Sequence, residues 1–189
     1  MTLSGIPRGS FVVLLLFLKL FAEKEFDFHF FQDDYNFLLE RAEMGSYNKD
    51  YMRTASVVSF RYNRTVIAFN MTLRFKVDVG SDLVAVDQAY KFVSNEYRLF
   101  AAIRMGGKLC TMFDANVAGV KTQARKCGNM TQCFFLKDKT YRLCNVVPDE
   151  SKLPPRIPKG RYMLEIDVSY SSVSLFVVKV YFTVTRPEV

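Results

Sequence analysis

Apolar and polar positions alternate through much of the chain from residue 58 onward. In Ile67-Phe69-Met71-Leu73-Phe75-Val77 every odd position is apolar, and Asn70, Thr72, Arg74, Lys76 and Asp78 hold the even ones. A period of two buries one face of a strand and wets the other. Val58-Phe60-Tyr62 predicts a strand before it, with a turn at Asn63-Arg64. Tyr97-Leu99-Ala101-Ile103-Met105 alternates again and stops at Gly106-Gly107. Tyr162-Leu164-Ile166-Val168 and Phe176-Val178-Val180-Phe182-Val184 predict two more strands, joined around 169–172. Residues 23–55 read as irregular: Phe26, Phe28, Phe30 and Phe31 alternate with acids, and a mixed-charge stretch follows.

Between these strands the period changes. Leu109, Met112, Phe113, Val117 and Val120 recur at steps of three and four, the spacing of one face of an amphipathic helix. Gly119 weakens that helix and Gly128 is a stop signal beyond it. Residues 134–143 read as extended. Leu153-Pro154-Pro155-Arg156-Ile157-Pro158-Lys159-Gly160 reads as a stiff loop, because proline lacks the donor that a central strand needs. Strands with one dry face, spaced by turn signals, predict a mainly β fold: a two-sheet β-sandwich or β-cup with one inserted α-helix.

Composition narrows the function. The 189 residues carry a net charge of +7, one His and four Cys. Residues 1–22 have a basic start at Arg8, an apolar run over Phe11–Leu18 and a small residue at Ala22. This is the layout of a secretory signal peptide, and the run is shorter than the ~20 residues of a membrane span. The reading is therefore a leader at 1–22, a single domain at 23–189 and no transmembrane anchor. Asn63-Arg64-Thr65, Asn70-Met71-Thr72 and Asn129-Met130-Thr131 are glycosylation triplets without proline, so Asn63, Asn70 and Asn129 are candidate glycan sites. Four cysteines between positions 110 and 144 fit two disulfides in an oxidising compartment. The expected location is extracellular.

Candidate chemistry is sparse. The sequence has no Gly-x-Ser-x-Gly elbow and no phosphate-cradling glycine loop. Arg104-Met105-Gly106-Gly107-Lys108 lacks the spacing for one. With one histidine, His29, and no Cys-x-x-Cys, no metal site and no cofactor are expected. Glu165 and Asp167 fall on the wet face of a predicted strand, where solvated carboxylates belong. The reading is a protein that is not an enzyme and has no catalytic residues. Lys and Arg are interleaved with acids and form no stripe, so nucleic acid is not an expected partner. Large apolar side chains on the inward faces either fill a core or line a cavity between sheets held apart.

Cys133-Phe134-Phe135-Leu136-Lys137-Asp138-Lys139-Thr140-Tyr141-Arg142-Leu143, then Leu153-Pro154 and Ile157-Pro158-Lys159-Gly160-Arg161-Tyr162, resembles the ML lipid-recognition family. The likeness is to its ganglioside-activator-like members and to related secreted insect proteins, some of them chemosensory. Leu109-Cys110-Thr111-Met112-Phe113 is similar to the cysteine-bearing helix of that family, and Phe134 stands where the family has proline. The likeness covers residues 105–189 by motif and the remainder by pattern.

The resemblance implies an immunoglobulin-like β-cup around an apolar pocket. It implies pairing of Cys110 with Cys133 and Cys127 with Cys144, against the rival Cys127–Cys133 with Cys110–Cys144. The function expected is a secreted, non-enzymatic carrier or presenter of a lipid or lipid-like ligand, chemosensory in one version. Its partners would be a hydrophobic small molecule and a cell-surface receptor. The alternative is an extracellular protein-interaction domain with a filled core. Alternation nominates Phe69, Met71, Leu73, Phe75, Leu99 and Ile103 for one pocket wall, with Leu164 and Ile166 opposite.

Overall fold

The computed structural model describes residues 33–187, and within that range the side chains of 101–105 are not described. The proposed leader and His29 lie outside the described residues. Eight strands form two antiparallel sheets: β1 (Asn36–Tyr47), β2 (Met52–Arg61), β3 (Ile67–Phe75), β4 (Leu83–Val93), β5 (Glu96–Lys108), β6 (Thr140–Val146), β7 (Gly160–Tyr170) and β8 (Val173–Thr185). One sheet has the order β1-β8-β7-β4-β5 and the other β2-β3-β6. The two-sheet sandwich read from the alternation is therefore the architecture of the protein.

The strand at 36–47 replaces the irregular segment expected from the sequence. Its pairing with β8 shifts between Leu39 and Arg41 and again between Met44 and Ser46, so one residue is extra at each step. Each bulge moves the apolar set to the other phase. The buried positions become Leu39 and Ala42, and a period-two reading misses them. Nor does β5 stop at Gly106-Gly107: Gly106 and Gly107 pair with Val86 and Ala85, and the strand runs on to Lys108.

The sheets are closed along one pair of edges. The Ser59 hydroxyl on β2 donates to the Ala42 carbonyl oxygen of β1 (2.8 Å) and accepts from the Ala42 N–H (2.6 Å). A side chain thus does for these two edge strands what a backbone ladder does inside a sheet. Ser59→Ala leaves both Ala42 groups without that partner and should destabilise the fold by about 1–2 kcal/mol. A urea titration showing an unchanged midpoint would contradict it.

Along the opposite edges the chain passes from β5 to β6 through a helical insert. It comprises α1 (Leu109–Asp114), a 3-10 turn (Val117–Gly119) and α2 (Val120–Lys126). The expected helix is thus broken in the middle. Asn116, Ala118 and Gly119 all have left-handed φ (54°, 51° and 76°), which a right-handed helix cannot absorb. The break turns Val117 out of the apolar face, leaving it 40% exposed. Asn116 stabilises the restart: its Oδ1 accepts from the Thr122 N–H and its Nδ2 donates to the Thr122 hydroxyl.

Candidate functional site

Both inner faces are apolar because both sheets obey the alternation there. From β3 they receive Phe69, Leu73 and Phe75, from β6 Leu143 and Val146, and from β8 Phe176, Val178 and Val180, all buried. These groups do not meet everywhere. Between the sheets lies a cavity of about 180 Å³ lined by apolar side chains, with Gln132 the one polar residue among them. The three-stranded sheet contributes Phe69, Met71, Leu73, Phe75, Leu143 and Val146. Leu83, Ile166, Val168, Phe176, Val178 and Val180 come from the five-stranded sheet.

The remaining wall is the insert and the segment after it: Leu109, Phe113, Val120, Met130, Gln132, Cys133 and Phe135. Leu109 and Phe113 are four apart on α1, so one helical face supplies both. Gln132 is the one exposed residue among the described lining and marks the rim. Two disulfides hold this side. Cys110 on α1 is joined to Cys133 (Cα–Cα 5.3 Å), and Cys127 after α2 to Cys144 on β6 (5.5 Å). This is the pairing the resemblance implies, and the rival Cys127–Cys133 with Cys110–Cys144 is not formed.

Of the residues nominated for the wall, Phe69, Met71, Leu73, Phe75 and Ile166 are brought together around the cavity. Leu99 is not there: it is 60% exposed. Against β4, residues 100–103 of β5 stand opposite the single residue Ala89, and this irregularity resets the phase of the strand. Leu164 is partly buried beyond the end of the cavity. It packs between the main core and a second cluster of Tyr35, Tyr162, Phe182 and Val184 under the proline loop. The Tyr35 and Tyr162 hydroxyls donate to the carbonyl oxygens of Pro154 and Pro158, which seals that end. Ile103 lies on β5, and its side chain is outside those described.

One polar group sits behind the apolar wall. Asp87 occupies the inner face of β4 between Ala85 and Ala89, register-paired with Ile166 of β7. It is 7% exposed, and its Oδ1 has no hydrogen-bond partner among the described residues. Burial alone pushes its carboxyl up to about 6. The alternation missed Asp87, yet a signal was there: Leu83-Ala85-Asp87-Ala89 places an acid at an inward position of an apolar run.

Electrostatics distinguish the insert side. Residues 108–139 carry Lys108, Lys121, Arg125, Lys126, Lys137 and Lys139 against Asp114 and Asp138. Lys121 pairs with Asp114 (3.2 Å), and Asp138 is bound by Arg53. Val117, Phe134 and Leu136 are exposed along the same stretch. Among the described residues no helix is long and apolar enough to cross a membrane, and no cluster of His, Cys, Asp and Glu could hold a metal ion. No protein-family model matches the chain, and no curated protein sequence matches it significantly.

Proposed function

We propose that this protein is a secreted, non-enzymatic carrier of a slender hydrophobic ligand, of the kind its resemblance to the ML lipid-recognition family implies. The observation that carries this reading is the apolar cavity between the sheets. At about 180 Å³ it exceeds the ~150 Å³ apolar cavity that stays dry and admits benzene. That volume suits one acyl chain or one small ring system, and not a lipid with several chains. The excess of cations over residues 108–139, the stretch that contains Gln132, favours a ligand whose head group is acidic. The two disulfides fit an oxidising compartment and support export. A chemosensory ligand is one version of this reading, with a cell-surface receptor as the partner that would accept it.

Affinity would come from removing methylenes from water, about 0.8 kcal/mol each. In a series of fatty acids, competition against an environment-sensitive naphthylamine dye should tighten roughly fourfold per added methylene and level off once the cavity is full. Val178→Phe puts a ring into the cavity from the β8 side and should weaken dye binding about tenfold or more. A dye signal that never saturates, or one that Val178→Phe leaves untouched, would sink the carrier.

The second reading, an extracellular protein-interaction domain, is favoured by the β4–β5 edge of the larger sheet. There Leu99 and Val93 are exposed, and the Phe92 ring lies tilted against Tyr97 (5.0 Å between centroids) under the Arg161 guanidinium. Aromatic and arginine side chains of this kind are enriched at protein interfaces.

A further inference from the structure

The asparagines of all three Asn-x-Thr triplets are exposed in the folded protein, so their exposure does not rank them. What each asparagine amide is doing does. Asn63 sits in the β2–β3 turn, where its Oδ1 accepts from the Thr65 N–H (2.9 Å), the Thr65 hydroxyl (3.2 Å) and the Val66 N–H (2.8 Å). Asn70 points outward from β3, and its Oδ1 accepts from the Asn145 N–H (2.8 Å). In both, the oxygen is engaged and the amide nitrogen bonds to nothing among the described residues.

Asn129 is different. Its Nδ2 donates to the Thr140 carbonyl oxygen (2.8 Å), and its Oδ1 accepts from the Arg142 N–H (2.7 Å). Its backbone N–H donates to the Arg142 carbonyl oxygen (3.1 Å), next to the Gly128–Leu143 bridge. The side-chain amide therefore continues a strand ladder along β6, the edge of the three-stranded sheet. It satisfies backbone groups that an edge strand would otherwise leave open.

We propose that Asn63 and Asn70 are N-glycosylated in the exported protein and that Asn129 is a structural asparagine whose triplet stays bare. The inference rests on the export reading above. In the transfer, the asparagine Nδ2 attacks the anomeric carbon of a lipid-diphosphate-linked oligosaccharide. The N–C bond forms as the C–O bond to the diphosphate breaks, the lipid diphosphate leaves, and one amide proton passes to the transferase's base. At Asn63 and Asn70 the modified nitrogen keeps its place, because the folded chain uses only the oxygen. At Asn129 the sugar would stand where the β6 backbone lies and would open the ladder, so a chain modified there cannot complete the fold.

Both glycans would then lie on the three-stranded sheet, one at its β2–β3 turn and one on the outer face, where Val58 pairs with Asn70. They would cover Val58, which is 59% exposed, and leave the insert side of the cavity clear. The test is expression of the full chain behind a heterologous secretory leader in insect cells, with glycopeptide mass spectrometry of the folded, secreted pool. Glycans at Asn63 and Asn70 with unmodified Asn129 are expected, and Asn63→Gln and Asn70→Gln should each remove one glycan mass. A glycan on Asn129, or an unmodified Asn63 or Asn70, overturns the assignment. The chain with its own first 22 residues, run in parallel, reports on export separately, since the heterologous leader forces passage in either case.

Discussion

Gly128→Ala is expected to destabilise the fold by about 4 kcal/mol, since an added Cβ meets a closer neighbour there than at any other described glycine. Gly128 has φ +132°, a region that residues with a side chain adopt at a cost of about 1–3 kcal/mol. A Cβ there would stand 2.3 Å from the carbonyl oxygen of Arg142. That oxygen belongs to the backbone of β6, so it cannot move aside like the end of a flexible side chain. Forcing the strands apart adds roughly 1–3 kcal/mol. The neighbours raise the stakes: Cys127 is disulfide-bonded to Cys144, and Asn129 is laddered to β6 on the other side. Gly80→Ala is the control, because nothing lies within 4 Å of a Cβ at that position. Urea midpoints that fall for Gly128→Ala and hold for Gly80→Ala are the expected result. Equal stability of the two variants would show that the close approach of residue 128 to β6 is wrong.

Asp87→Asn is expected to stabilise the protein at neutral pH and to make no difference in acid. The folded carboxyl titrates near 6, against an ordinary value of 3.8. The folded state therefore holds its proton more tightly than the unfolded chain does. Stability from this group is fully present below about pH 4 and is lost as the pH rises through about 6. The displacement is worth roughly 3 kcal/mol at neutral pH, because a charged carboxylate must then be kept beside Ala85, Ala89 and Ile166. Asparagine has nearly the same shape and no charge, so the variant should lose this component of the pH dependence. Urea midpoints of both proteins from pH 4 to pH 8 give the measurement. Curves that separate with rising pH support it, and parallel curves would show that Asp87 is solvated or partnered.

Much of the fold was legible because β3 and β7 carry no extra residue in their pairings and β8 keeps one phase from Phe176 onward. In β3, Phe69, Leu73 and Phe75 are buried at the odd positions the alternation assigns, and Asn70 faces out. β8 repeats this with Phe176, Val178, Val180, Phe182 and Val184. Where the phase slips, the reading failed. Bulges at Leu39/Arg41 and Met44/Ser46 hid β1, and the irregularity opposite Ala89 turned Leu99 to solvent. Alternation reports which face a residue takes on its own strand, and a bulge is fixed by the partner strand, which one segment cannot reveal.

The site was legible in part for the same reason. Phe69, Met71, Leu73 and Phe75 share one face of β3, because the register shift between Phe69 and Met71 puts its extra residue on β6, and Ile166 lies in an unshifted stretch of β7. Leu109, Phe113 and Val120 carry a helical period that identified them as apolar, and only the break at Asn116–Gly119 decides which way they face. Met130, Gln132 and Phe135 belong to a segment without a period, placed by the Cys110–Cys133 bond and the Val79–Phe135 bridge. No local pattern encodes that placement.

The Ser59 seam has a kinetic consequence. With the two sheets fastened to each other along the β1–β2 margin, the sandwich can widen only like a book held at its spine. Any guest of the size proposed would then come and go past α1 and α2, and the speed of exchange would depend on how readily those two short helices lift. Breaking the bond between Cys110 and Cys133 would quicken loading and unloading together, while the equilibrium occupancy, set by the greasy walls, would change far less.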